Sequence, residues 1–187
     1  GVSYELLLYG ASTGQVVAGT GNAISFGLQT NSGNYTVHAV NDITLCESMM
    51  SGMAVILIDP TPQAFNVTGG GSYCTGGPGV EIGLGYSELG VSYELIRDAS
   101  NTGIIVAGTG APISFGFHNT AGAYSVQATD TATGCTAVMN GVVNVTINPL
   151  PLPYALTGGG AYCDGGNGVD VGLANSQNGV DYELFLE

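Results

Sequence analysis

Four cysteines are the residues of this sequence best suited to covalent chemistry: Cys46, Cys74, Cys135 and Cys163. No C-x-x-C pair occurs and the histidines are isolated, so a zinc site is not indicated. Cys74 and Cys135 lie 61 residues apart, within one of the repeats described below. In an oxidising compartment two cysteines in one small domain usually form a disulfide, and we therefore predict a Cys74–Cys135 bond. The alternative is that all four are buried thiols, as in a cytosolic protein.

Residues for acid–base catalysis are scarce. This chemistry needs a histidine or a carboxylate pair held at a cleft. His38 and His118 are the only histidines, and each is replaced by glutamine at the corresponding position of the other repeat. Because a site present in every repeat would keep its base, we predict that both are surface strand residues. Glu81 and Glu94 form an acidic pair that nothing places at a cleft, so we expect no catalytic residue and no enzyme.

Two loops have compositions that could hold a ligand. The stretch TGGGSYCTGGPGVEIG at 68–83 is dense in glycine, but a phosphate-binding loop needs a following helix and usually a lysine. Neither is present, so we interpret this stretch as turns and bulges. Asp164, Asn167 and Asp170 carry oxygen atoms suited to Ca²⁺, but their spacing matches no closed loop motif. The sequence therefore predicts no cofactor and no metal site.

The charge balance excludes two classes of partner. The 187 residues include 14 acidic residues and one basic residue, Arg97, for a net charge of −13. Nucleic acids and anionic membranes bind clusters of Lys and Arg, which this chain lacks. No apolar run approaches the length of about 18 residues that a membrane span needs. We expect no nucleic-acid partner and no membrane insertion.

Apolar and polar residues alternate along most of the chain, as in strands with one buried and one solvent-facing side. Clusters of Gly, Asn, Asp and Thr separate these runs, and no stretch has helical periodicity. About seven short strands per repeat predict an all-β fold of antiparallel Ig-like sandwich modules. The Gly-x-Tyr of AGAYSVQATD at 121–130 resembles the tyrosine corner of such sandwiches. The expected core comprises Tyr93, Leu95, Phe115, Tyr124, Val126 and Ile147.

A tandem repeat with an offset of 89 residues organises these strands. Residues 1–89 align with 90–178 without a gap, and 41 of the 89 positions are identical. Proline clusters in IDPTP at 58–62 and INPLPLP at 147–153 indicate the connections between modules. We predict that 1–62 is the carboxyl-terminal part of one module, 63–151 a complete module, and 152–187 the amino-terminal part of the next.

The two partial modules have complementary contents. Residues 1–62 lack the first 27 residues of a module, and residues 152–178 are the first 27 residues of another. Either the chain was cut from a longer array, or each chain lends its first strands to a neighbour. Residues 179–187 repeat the opening strand, which a donating subunit would not need, so we favour the array. With no initiator methionine and no signal peptide, the chain is expected to be a fragment of a mature protein.

Several motifs together resemble the tandem repeats of very large surface proteins of Bacteroidota. They are TGGGSYC, GVEIGL, GVSYEL, VAGTGAPISFG, AGAYSVQAT, TGCTAVMNG and VTINPLP, which cover nearly the whole period. Such repeats belong to cell-surface adhesins exported by the type IX secretion system, including gliding-motility adhesins. The resemblance implies a filamentous, extracellular protein on the bacterial surface. The DTA sequence at 130–132 fits a hydroxyl glycosylation motif of some Bacteroidota, which makes Thr131 a candidate for O-glycosylation.

Three functional interpretations follow from these observations. The first is a non-enzymatic structural and adhesive segment of a long surface filament or stalk. Its partners would be neighbouring modules of the array, and also other filaments or surface polysaccharide. The second is a self-polymerising subunit completed by strand donation between chains. The third is a carbohydrate-binding or spacer module of a secreted enzyme, which predicts an exposed aromatic platform.

Overall fold

A computed structural model describes residues 1–186 of the chain, and within this range every regular element is a β-strand. The all-β prediction is therefore confirmed. Contacts between residues divide the chain into two units, Gly1–Thr61 and a second unit that begins at Pro62. Each unit is described on its own below.

The first unit is a single antiparallel sheet. Its strands are β1 (Val2–Leu8), β2 (Ala11–Ala18), β3 (Gly33–Asn41), β4 (Glu47–Met49) and β5 (Ala54–Ile56). β1 lies between β2 and β3, and both β4 and β5 pair with the far edge of β3. Only one side chain of β1 is fully buried, that of Leu6, so one sheet without a cover leaves its apolar face partly open.

Residues 62–151 of the second unit form two sheets. The strands are β6 (Val67–Gly69), β7 (Gly71–Cys74), β8 (Val80–Leu84), β9 (Val91–Arg97), β10 (Ser100–Ala107), β11 (Ile113–His118), β12 (Gly122–Asp130), β13 (Thr136–Val138) and β14 (Val143–Asn148). The larger sheet has the order β10-β9-β12-β14-β7, with β13 also on β12, and the smaller has the order β11-β8-β6. All of these pairs are antiparallel except β7 with β14, which run parallel.

We call residues 63–151 the complete module, after the repeat in the sequence, and their core lies between the two sheets. Ile82 and Leu84 of the smaller sheet pack in one cluster with Tyr93, Tyr124 and Val126 of the larger sheet, and all five are fully buried. The alternation of apolar residues predicted the inward faces of β9 and β12 correctly. Burial of both sheets on one cluster gives this part of the chain a β-sandwich character.

One core prediction is wrong, and a second side chain departs from strict alternation. Ile147 was expected in the core but is 41% exposed, because β12 ends opposite Val145 and β14 pairs only with β7 beyond that point. Phe117 alternates with buried Phe115 in the sequence, yet it is 66% exposed. The pairing of β11 with β8 slips by one residue between Ser114 and Gly116, and this bulge turns the next side chains outward.

The expected tyrosine corner is present in both repeats. The Tyr124 hydroxyl donates a hydrogen bond to the Thr120 carbonyl at 2.9 Å, and Tyr35 donates in the same way to Asn31 at 3.0 Å. Each bond ties the start of a central strand to the loop that precedes it, so the bond does not depend on the second sheet.

The chain enters and leaves the complete module at opposite ends. At the first end, the Gln63 N–H donates to the Glu88 carboxylate at 2.9 Å, close to Gly90 and the Asp130 end of β12. At the second end, Asn148 of β14 lies beside Cys74, beyond the Gly122 end of β12. We call these the amino-terminal end and the carboxyl-terminal end of the module.

Residues 152–186 continue the second unit with a small sheet. It consists of β15 (Leu156–Gly158) and β16 (Val171–Leu173), paired antiparallel. The Leu152 N–H donates to the Gln177 side chain at 2.6 Å, and the Gln177 N–H donates to the Tyr182 hydroxyl at 2.9 Å. These bonds hold the segment together, but most of its apolar side chains remain exposed.

Candidate functional site

The predicted Cys74–Cys135 disulfide is not formed. Cys74 lies at the carboxyl-terminal end of the module, opposite Asn148 of β14. Cys135 lies at the amino-terminal end, where its carbonyl accepts a hydrogen bond from the Asp130 N–H at 2.9 Å. The length of β12 separates them, about 27 Å at about 3.4 Å per residue. Because bonded cysteines have Cα atoms within about 7 Å, the prediction of a bond inside the module is corrected.

Thr131, the candidate for O-glycosylation, lies in the exposed turn after β12. Its hydroxyl donates a hydrogen bond to the Gly90 carbonyl at 2.7 Å, which joins the turn to the start of β9. A sugar on this oxygen would remove the hydrogen that the bond uses. Thr131 has no counterpart in the first repeat, where the aligned residue is Asp42. Modification of Thr131 therefore remains a prediction, and it would act at the end of the module.

The turn that carries Thr131 is organised by Asp130. Its carboxylate accepts hydrogen bonds from the Ala132 and Thr133 N–H groups, both at 2.9 Å. These backbone donors, that of Thr133 first, hold the pKa of Asp130 below its ordinary value because they favour the ionised form. In the first repeat Asn41 occupies this position, and its side-chain oxygen accepts from Ile43 and Thr44.

The candidate acid–base residues lie apart. The His118 ring nitrogen is 3.1 Å from the Phe115 carbonyl, and its ring centroid is 5.3 Å from that of Tyr124. His38 pairs with Glu47 at 3.2 Å on the first sheet. Glu81 accepts a hydrogen bond from Ser114 at 2.6 Å and so is held on β8. Among residues 1–186 no cluster of three His, Cys, Asp or Glu could hold a metal ion.

One polar cleft of about 350 Å³ lies on the complete module beside Arg97. Asn101, Phe117 and His118 contribute to its walls, with Tyr124 at its base. The corresponding positions of the first repeat carry neither the charge nor the imidazole, because Leu8 aligns with Arg97 and Gln29 aligns with His118. The cleft can donate hydrogen bonds to a polar ligand, but it is a property of one repeat. The cleft could not be predicted from the sequence, because its walls come from four strands and one loop.

A larger opening of about 510 Å³ lies on the first sheet. Its apolar lining comprises Tyr4, Ile24, Phe26, Val37 and Met50. We call these five residues the open face. Their counterparts one repeat later are Tyr93, Ile113, Phe115, Val126 and Met139, and every one belongs to the buried core of the complete module. This site could have been predicted from the repeat alignment, because the alignment shows which strands of the complete module residues 1–61 do not contain.

Tyr93, the counterpart of Tyr4, is the buried group with the clearest electrostatic signature. Its hydroxyl accepts a hydrogen bond from the Glu88 N–H at 2.9 Å. Burial raises the pKa of Tyr93 above its ordinary 10.0; the Glu88 backbone bond opposes this rise, and the Glu88 carboxylate adds to it. The folded module therefore favours the neutral phenol. Its contribution to stability is complete below about pH 10 and is lost as the pH rises through the folded pKa.

Comparison with known proteins leaves the family of this chain open. No protein-family model matches the sequence, and no curated protein matches it. Within residues 1–186, the structure contains no helix with the length and apolar character that a membrane crossing requires.

Proposed function

We propose that this chain is a segment of a non-enzymatic structural and adhesive array of Ig-like modules with an 89-residue period. The array would form a long extracellular filament or stalk on a bacterial surface. The observation that carries the proposal is that the complete module receives the chain at one end and releases it at the other. Tandem modules with this arrangement join end to end and extend in one direction.

Three further features support an array rather than an enzyme. The two histidines lie on different units, His38 beside Glu47 and His118 beside the Phe115 carbonyl, so no arrangement is shared by both repeats. The hydrogen bond of the tyrosine corner occurs in both repeats, at Tyr35 and Tyr124, as expected for Ig-like modules. The net charge of −13 favours solubility at a cell surface. Neighbouring modules are the primary partners in this proposal.

The size of the native polypeptide tests the array. An antibody against this chain would be used to blot cells of the source organism after boiling in SDS with reductant. We expect a species far larger than 18.8 kDa, and the same antibody should label intact cells. A single band near 18.8 kDa would contradict the array, and labelling only after lysis would contradict the surface location.

Carbohydrate binding is a second candidate, and the cleft beside Arg97 favours it. Phe117 is an exposed aromatic ring at the wall of that cleft, next to the hydrogen-bond donors Arg97 and Asn101. Sugars commonly bind where an aromatic face adjoins polar side chains. A glycan array with the wild-type chain and Phe117→Ala would test this, with Tyr86→Ala as the control for an exposed aromatic outside the cleft. Binding that survives Phe117→Ala would argue against the cleft.

A further inference from the structure

Arg97 is the only basic residue of the chain, and it has no acidic partner. The sequence contains 14 acidic residues against this one guanidinium. Within residues 1–186, the ion pairs are those of the amino terminus with Asp42 and of His38 with Glu47. The guanidinium also makes no hydrogen bond to another described residue. The N–H donors of Arg97 therefore remain available to a ligand.

The stem of Arg97 is fixed by its neighbours. It crosses Gly122, where a Cβ atom would lie 3.0 Å from Cγ and 3.1 Å from Cδ of Arg97. The adjacent carboxylate, that of Asp98, accepts a hydrogen bond from the Ala123 N–H at 2.9 Å. Asp98 is thus tied to the start of β12 rather than to the guanidinium. Because the apolar stem is packed, Arg97 contributes its charged end to the cleft that it lines.

The loop between β11 and β12 forms another part of the cleft. Its backbone is held by two tyrosines, since the Tyr73 hydroxyl donates to the Asn119 carbonyl and the Tyr124 hydroxyl donates to the Thr120 carbonyl. The side chains of Asn119 and Thr120, and that of Asn101 on β10, make no hydrogen bond with the described residues. A fixed loop with unused amide and hydroxyl groups suits a ligand that carries many hydroxyl groups.

Two rings complete the cleft. Phe117 is 66% exposed, because the bulge in β11 turns it outward. His118 donates from Nε2 to the Phe115 carbonyl at 3.1 Å, since a carbonyl can only accept, and Nδ1 is left as an acceptor. The volume of about 350 Å³ lies in the lower part of the range of small-ligand sites, which is about 300 to 1,000 Å³. The cleft therefore combines an exposed aromatic face, polar groups and one positive charge.

We propose that this cleft binds a sugar that carries a carboxylate, as the uronic acids of acidic polysaccharides do. The Arg97 guanidinium would pair with the carboxylate through two parallel hydrogen bonds. The Phe117 ring would contact the C–H face of the sugar, and the side chains of Asn101 and Asn119 would bond to its hydroxyl groups. This inference rests on the carbohydrate-binding candidate of the proposed function and adds the charge of the ligand to it.

A carboxylate from a second copy of this chain is the competing partner for Arg97. An Asp or Glu side chain would satisfy the guanidinium, but it has no hydroxyl groups for the unused amides of Asn101 and Asn119. It would also leave the exposed face of Phe117 without a contact. Two copies of net charge −13 repel each other in addition. An acidic sugar accounts for all of these groups together.

The first repeat supplies matched variants. Leu8 aligns with Arg97 and Leu28 aligns with Phe117. Leu8 also lies against a glycine, because a Cβ atom at Gly33 would be 2.6 Å from Leu8 Cδ1. The same strand positions therefore accept leucine in this fold. Arg97→Leu removes the charge and Phe117→Leu removes the ring, and we expect both variants to fold.

Binding of the full chain to paired polysaccharides tests the inference. Polygalacturonate, alginate and hyaluronate would be immobilised for biolayer interferometry, each beside the same polysaccharide after carboxyl reduction, which converts the carboxylate to a primary alcohol. We expect an acidic form to bind about tenfold more tightly than its reduced form, the factor typical of one charge-assisted hydrogen bond. Salt at about 0.15 M would screen the repulsion from the rest of the chain.

Three variants separate the charge from the ring. Arg97→Leu should abolish the preference for the acidic form and keep the weaker binding to the reduced form. Thr136→Glu is the control, because it also lowers the net charge by one, takes its residue from Glu47 of the first repeat, and lies at the amino-terminal end of the module. It should keep the preference. Phe117→Leu should weaken both forms alike.

The outcomes against the inference are distinct. Equal binding of the acidic and reduced forms by the wild-type chain would overturn it and leave the carbohydrate-binding candidate standing. An absence of binding to every glycan would overturn that candidate as well. Loss of the preference in Thr136→Glu as much as in Arg97→Leu would assign the effect to net charge and overturn the role of the cleft. Circular dichroism of each variant would exclude misfolding as the cause.

Sedimentation equilibrium tests the competing partner. The average mass of the wild-type chain and of Arg97→Leu should be the same at each concentration, because the inference gives Arg97 no part in self-association. If Arg97→Leu lowered the average mass and left glycan binding unchanged, Arg97 would pair with a carboxylate of a second copy. That result would overturn the inference.

Discussion

Residues 24–27 and 113–116 have the same sequence, ISFG, and yet only the second copy lies in a strand. Both copies have the same serine–glycine hydrogen bond and the same positive φ angle at the glycine. The difference is that β8 pairs with Ile113, whereas no strand within residues 1–186 pairs with Ile24. Local sequence therefore sets the bulge, whereas the strand itself depends on its partner.

The same comparison holds for burial. β1 and β9 begin with the same five residues, VSYEL, and pair with β3 and β12 over the whole of their length. The sheet that contains β1 and β3 therefore forms without a second sheet over it. Its core cannot close without one, because Tyr4 remains half-buried where Tyr93 is fully buried. The effect of the second sheet on stability can thus be tested by making the same substitution at aligned positions of the two repeats.

The largest difference should come from two aligned leucines, Leu84 and Leu173. Leu84→Ala removes a fully buried side chain and should destabilise the complete module by about 2 to 5 kcal/mol. Leu173→Ala should change stability by less than about 1 kcal/mol in dilute solution, since Leu173 has no second sheet above it. Hydrogen exchange followed by mass spectrometry would measure the first effect at the β9 amides and the second at the β16 amides. Equal losses would show that residues 152–178 are packed as closely as residues 63–89.

Met139 and Met50 form the next pair. Met139→Ala should cost about 2 to 4 kcal/mol, because the side chain is 3% exposed within the core. Met50→Ala should cost less than about 1 kcal/mol, because more than a third of the side chain faces solvent. Urea unfolding followed by circular dichroism would give the values. An effect of Met50→Ala as large as that of Met139→Ala would contradict the expected difference between the two positions.

Tyr124 and Tyr35 should behave alike. Phenylalanine at either position removes one hydroxyl hydrogen bond, to Thr120 or to Asn31, and keeps the ring. Each change should destabilise its own unit by about 1 kcal/mol. Exchange of the amides of β12 and of β3 would report each unit separately. A loss in only one repeat would contradict the view that the corner is independent of the second sheet.

The smallest difference concerns the turns after β12 and β3 in acid. The ionised Asp130 carboxylate accepts two backbone hydrogen bonds, and its lowered pKa means that the folded state favours the ionised form. This contribution is complete above the ordinary pKa of 3.8 and is lost as the pH falls through the lower folded value. Asn41 accepts the equivalent bonds and does not titrate. The amide NMR shifts of Ala132 and Thr133 should therefore change more in acid than those of Ile43 and Thr44.

Much of the fold could be predicted because alternation reports the faces of strands. Tyr93, Leu95, Tyr124 and Val126 are all buried as expected. Ile147 and the Cys74–Cys135 bond could not be judged in this way, because they depend on where strands end and on which end of a module each loop reaches. Alternation also cannot reveal a parallel pair such as β7 with β14. The open face could be predicted only by aligning the two repeats and finding which strands the first one lacks.

The parallel pairing of β7 with β14 has a mechanical consequence. β7, near the start of the module, and β14, its last strand, run side by side in the same direction. The contact between the two ends of the module's chain extends from the bridge of Asn66 with Asn140 to the pair of Cys74 with Asn148. Tension applied at the two ends of the module pulls these strands in opposite directions along their length. The hydrogen bonds between them are then loaded together in shear. They must break simultaneously rather than one after another. A module connected in this way resists stretching along the axis on which the chain passes through it.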